Sequence, residues 1–173
     1  MKKVVVLGLL LALVGISKAQ DVELAKVKSL FTLNFIRYIG WPAEATEGDF
    51  VIGVLKSSVM ANQLKEKTVG KKFGYQNIVI KEFKNVDEIT NCQILYVDGM
   101  VNFAKNAAAI SAKLNNNHSL IITEDADAIN KGSMINFVIV DDKLKFEVSA
   151  ANAEKSGLKF SNSLLSMNNA IKS

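Results

Sequence analysis

Three short and almost wholly apolar runs constrain this chain more than any other feature: Phe50-Val-Ile-Gly-Val-Leu55, Gln93-Ile-Leu-Tyr-Val97 and Ser119-Leu-Ile-Ile-Thr123. Strands of that kind are buried on both sides, which is what a parallel sheet covered by helices demands. The intervening segments supply the helices. Ser57-Ser58 offers a hydroxyl cap to a helix through Gln63 and Leu64. Phe103, Ala107, Ile110 and Leu114 recur at spacings of three and four, before the Asn115-Asn116-Asn117 tract. Asn77 to Phe83 adds an alternating strand. Strands alternating with helices predict the α/β class, a single-domain α/β/α sandwich on a mostly parallel central sheet.

The chain then changes style. Ser133 to Val140 and Leu144 to Val148 flank Asp141-Asp142-Lys143 and predict a C-terminal hairpin. Leu144, Phe146 and Val148 share one face while Lys143, Lys145 and Glu147 share the other, as suits an edge strand with one wet side. Ala150 to Ser156 reads as a helical turn, Gly157 as a break and Phe160 to Ile171 as a final helix.

Asp21 to Ile39 predicts the first helix. Leu24, Val27, Phe31, Phe35 and Tyr38 make one stripe, and Leu30, Leu33 and Ile36 make a second beside it. Together they are wider than a single sheet contact needs. Pro42 forces the helix to end by Trp41, and Gly40 is the expected left-handed closing residue. The only tryptophan and the only proline of the chain therefore stand side by side at this seam.

Residues 1–19 are expected to be a secretory signal peptide. Lys2 and Lys3 precede an apolar stretch from Val4 to Ile16, followed by Ser17-Lys18-Ala19 with small residues at the cleavage positions. The 13-residue stretch falls short of the roughly 20 needed to span a bilayer. Cleavage after Ala19 leaves a domain over 20–173 and predicts a periplasmic location. Losing Lys2, Lys3 and Lys18 leaves 18 basic against 17 acidic residues, a net of +1. That balance, with lysines scattered rather than clustered, gives no electrostatic footprint for a nucleic-acid partner. A domain of this size buries a core without disulfide or metal. Cys92, the only cysteine, reads as a small core hydrophobe.

Catalytic signatures are poor. There is no nucleophile elbow, phosphate-binding Walker loop, zinc-protease helix or metal-spaced cysteine set, so neither an enzyme nor a cofactor is expected. His118, beside an asparagine-rich turn, reads as a solvated or capping residue. Glu124, Asp125 and Asp127 follow a strand, and Asp98 follows another. Both are places where a doubly wound sheet puts ligands, although a solvated helix start and an ordinary Asp-Gly turn account for them as well. Gly70 and Gly74 around Lys71, Lys72 and Phe73 leave room for a phosphate without matching a specific cradle.

The order of motifs resembles the YfiR family of periplasmic regulatory proteins along nearly the whole mature length. The matching pieces are "LFTLNFIRYIGWPAE", "FVIGVL", "KTVGKKF", "CQILYV" and "SLIITEDADAINKGSMINFVIVDDKLKFEVSAANAEKSGLKFSNSLL". The resemblance implies a compact exported α/β sandwich without catalysis. Such a protein binds the periplasmic part of an inner-membrane signalling protein, a cyclic di-GMP-producing diguanylate cyclase or a histidine kinase, and controls it. Association into a homodimer is left open. Family members often pair cysteines as a redox switch, whereas this chain has Cys92 alone. Tyr38, Trp41 and Pro42 at the seam, with Phe160, Leu164 and Leu165 on the last helix, are the expected partner-binding residues, because aromatic anchors concentrate binding energy at interfaces. The alternative is a periplasmic small-ligand-binding module, with Asp98 and Glu124 framing its pocket.

Overall fold

The computed structural model describes residues 20–114 and 118–167. The proposed leader over 1–19, the Asn115–Asn117 tract and 168–173 lie outside the described residues. In chain order the helices are α1 (20–35), α2 (Ser58–Thr68), α3 (Phe103–Leu114), α4 (Ala150–Lys155) and α5 (Asn162–Ser166). The strands are β1 (Ile39–Gly40), β2 (Phe50–Leu55), β3 (Lys72–Phe73), β4 (Gln76–Phe83), β5 (Ile94–Val97), β6 (Leu120–Thr123), β7 (Ile135–Val140), β8 (Lys143–Val148) and β9 (Lys159–Phe160).

Seven strands form the central sheet in the order β3-β4-β2-β5-β6-β7-β8. The five from β4 to β7 run parallel, and β3 and β8 are antiparallel at the two edges. Register sorts the side chains into two faces. Ile52, Ile94, Leu120 and Ile135 and their alternates look one way. On that side α1 lays Phe31 and Phe35 against Phe137 and Phe146, with ring centroids 5.0 to 6.3 Å apart, and Lys65 of α2 pairs with Glu82 of β4. On the opposite face α3 and α4 approach Ile121 and Met134. The result is the α/β/α sandwich predicted from the apolar runs.

Local chemistry explains the boundaries. The Ser57 hydroxyl accepts from the Met60 amide at 3.4 Å and opens α2. At the β7–β8 turn Asp141 and Asp142 both take positive φ, 52° and 57°, the twist that a two-residue hairpin needs. Gly53 lies where a Cβ would come within 2.6 Å of the Phe83 ring and 3.1 Å of Cys92 Sγ, so β2 lets those side chains pack over its backbone.

Two expected helices differ. The first is α-helical only to residue 35. A tighter 3-10 turn, Ile36–Tyr38, then leads into β1. Gly40 is not a left-handed closing residue: it is extended and pairs with Lys159. The last helix does not begin at Phe160, which lies in β9 opposite Ile39, and α5 starts at Asn162 under the cap of Ser161. Both errors have one cause. Helical spacing runs on through residues whose backbone groups are claimed instead by a two-stranded antiparallel ladder between segments about 120 residues apart in sequence, Ile39–Gly40 and Lys159–Phe160, a long-range pairing that local spacing does not encode.

Candidate functional site

The seam is built by that ladder. Ile39 faces Phe160, Gly40 faces Lys159, and the Ser161 amide donates to the Tyr38 carbonyl at 2.9 Å. Tyr38, Trp41 and Pro42 are therefore held beside Phe160 and the start of α5. Pro42, with φ −68°, opens a short 3-10 turn over Ala43–Thr46. The Trp41 indole N–H donates to the Ile36 carbonyl at 3.2 Å, and its ring meets the edge of Phe50 at 5.2 Å. Phe50 in turn meets Phe73 of β3 at 5.1 Å. Tyr38, Trp41, Pro42 and Phe160 are half-buried and Leu165 is exposed. Leu164 is corrected: it has 0% exposure and is a core residue of α5, turned inward on the capped helix, with no surface to offer a partner.

A second feature lies where β2, β5 and β6 end. The path from β2 goes through α2 to β4 on one side, and β5 returns to the other side of β2. That reversal is the topological switch point at which open α/β sheets form a crevice. A cleft of about 450 Å³ occupies it, and Asp98 and Glu124 are both among its walls together with Lys28, Lys56, Ser57 and Tyr96. Asp98 accepts from the Met100 amide at 2.9 Å, the ordinary role of aspartate in a tight turn. Glu124 forms an ion pair with Lys28 of α1. Burial raises its carboxyl above the ordinary range, and the Lys28 charge and hydrogen bond partly offset that rise.

The other singled-out residues have structural partners. Asp125 accepts from the Phe103 amide at 2.7 Å and caps α3 from a neighbouring loop. Asp127 accepts from the side chain of Asn130. His118 Nδ1 lies 2.8 Å from the Ser156 carbonyl, so this nitrogen carries the proton and donates, tying the approach to β6 to the end of α4. Cys92 is buried, and desolvation pushes its thiol up to about 12. Sequence reasoning missed Lys28, the one lysine of α1 whose side chain is almost enclosed. Its position between Val27 and Ser29, off the charged side that carries Lys26, was the available signal.

Among the described residues no cluster of histidine, cysteine and carboxylate side chains could hold a metal ion, and no helix is long and apolar enough to cross a membrane. Fold and site together define a small α/β sandwich organised around a surface seam and a crevice. More specifically, the chain belongs to the YfiR/HmsC-like family, whose model matches residues 25–168. That family is regulatory rather than catalytic, and its members act on diguanylate cyclases. Among curated proteins none matches the sequence.

Proposed function

We propose that this protein is an exported, periplasmic, non-enzymatic regulator that binds the extracytoplasmic part of an inner-membrane signalling protein, a diguanylate cyclase or a histidine kinase, and sets its activity. Family membership over 25–168 carries this reading. The seam supports it with a contact surface, because the β1–β9 ladder joins Tyr38, Trp41 and Pro42 to Phe160 and Leu165, the latter 36% exposed. Affinity capture of membrane proteins from the native envelope tests it, using the wild type, Trp41→Ala and Leu165→Asp. The regulator reading expects the wild type to retain a membrane cyclase or kinase, and at least one folded variant to release it. Failure of the wild type to retain any such protein would sink the reading.

One observation favours a second reading, a small-ligand-binding module: the switch-point cleft is large enough for a small molecule and has both signs of charge in its walls. A thermal-shift screen of envelope metabolites separates the two. Stabilisation that Asp98→Asn removes belongs to the module.

A further inference from the structure

The wide apolar face of α1 has two destinations. Phe31 and Phe35 go to the β7–β8 aromatics. Leu30, Leu33 and Ile36 instead form one wall of a groove of about 210 Å³, and Phe73 and Ile78 of β3 and β4 help to form the other. Leu30 remains 48% exposed there. The charged residues of the groove are all basic: Arg37, Lys67, Lys71 and Lys72. Lys67 hydrogen-bonds to Gln63 on its own helix and stands at the C-terminal turn of α2, where the helix dipole attracts a cation. Arg37, in the last turn of the helical segment that closes α1, has the same explanation, but Lys71 and Lys72 lie beyond α2 and have none, and among the described residues neither is in an ion pair. A chain whose mature charge is nearly balanced thus gathers four cations around one apolar slot.

Apolar grooves beside helices accept the apolar stripe of an amphipathic helix, and one-signed charge at the rim selects the opposite sign and suppresses wrong partners. We infer that this groove docks an acidic amphipathic helix of a partner protein, with apolar side chains between Leu30 and Phe73 and carboxylates at Arg37, Lys71 and Lys72. The inference rests on the regulator reading and gives its partner a chemical character. Beneath the surface the groove and the seam share packing, since Trp41 and Phe73 both meet the ring of the wholly buried Phe50.

The test places a benzophenone photo-cross-linking amino acid at Leu30 of the full chain in its native envelope and sequences the adduct. The expected adduct is a partner segment with carboxylates flanking a helical apolar stripe. Lys71→Glu with Lys72→Glu should cut its yield at least tenfold with the melting temperature unchanged. The same charge change at Lys105 and Lys131, both exposed and both remote from the groove, should leave the yield intact. An adduct to lipid, to a second copy of this chain or to a segment without acids overturns the inference, and so does a yield indifferent to Lys71 and Lys72 reversal. If Leu30 gives no adduct while affinity capture still retains the membrane protein, the groove is wrong and the regulator reading stands. If both fail, both fall.

Discussion

Lys28 of α1 and Glu124 at the end of β6, 96 residues apart in sequence, form an ion pair whose side chains are only 10% and 16% exposed. The pair joins the first helix to the switch-point crevice, so the crevice has no complete wall until α1 has docked. Because burial outweighs Lys28 and holds Glu124 above the ordinary carboxylate range, the folded state binds a proton more tightly than the unfolded chain. Glu124 therefore contributes most to stability below the unfolded value of about 4.3, and that contribution is lost as pH rises through its folded pKa.

Carboxyl-carbon NMR should place the Glu124 midpoint above the ordinary glutamate value, and Lys28→Met should move it higher by removing the offsetting charge. Glu124→Gln should flatten the fall in stability above the unfolded pKa. A midpoint at or below the ordinary value would mean that the ion pair, not burial, dominates.

Trp41 divides its surface between core and solvent. Trp41→Ala should cost about 2–3 kcal/mol in urea unfolding, less than the roughly 3–5 expected of a wholly buried aromatic. Trp41→Phe keeps a ring against Phe50 and loses the N–H bond to the Ile36 carbonyl, so it should cost about 1 kcal/mol. A loss as large as that of Leu164→Asp, which drives a carboxylate into the core, would make Trp41 a plug and remove it from the contact surface.

Cys92 should resist thiol reagents in the native protein at neutral pH, since its thiol is buried and pushed to about 12. The sign of linkage is the same as for any acid whose folded pKa is raised. Its contribution is intact below the unfolded value, near 9.0, and declines as pH climbs from there toward about 12. Cys92→Ser should cost about 1 kcal/mol or more by burying a hydroxyl beside Gly53 and Leu95. Rapid modification of native Cys92 would point to a sensor rather than a packing residue.

β4, with Lys81 and Glu82 in its run, was legible by alternation, and β2, β5 and β6 because each is apolar on both faces with clearly spaced helical segments between them. The α3 range, Phe103 to Leu114, was legible in full for the same reason. The seam residues were legible as a pair of sequence oddities, but the ladder that joins them to Phe160 was not, since two-residue strands carry no period. The groove was half legible. The surplus stripe of Leu30, Leu33 and Ile36 was evident, while the assembly of Arg37 with Lys71 and Lys72 depends on how α1 crosses the sheet. Lys28 and Glu124 were unpaired in the sequence because only the docking angle of α1 brings them together.

Two glycines separate backbone strain from crowding. Gly48 and Gly157 both have left-handed φ, +67° and +73°, but an added Cβ meets nothing within 4 Å at Gly48 and lies 2.7 Å from His118 Nδ1 at Gly157. Gly48→Ala should therefore cost only the left-handed penalty, about 1–2 kcal/mol. Gly157→Ala should cost about 1–3 kcal/mol more, because it must also displace the His118 ring and break the bond to the Ser156 carbonyl. The cycle with His118→Ala isolates that excess, since removal of the ring abolishes the clash and leaves the backbone strain. The expected coupling is about 1 kcal/mol or more. Coupling near zero would show that the chain around Gly157 shifts to make room, and that His118 does not fix the end of α4.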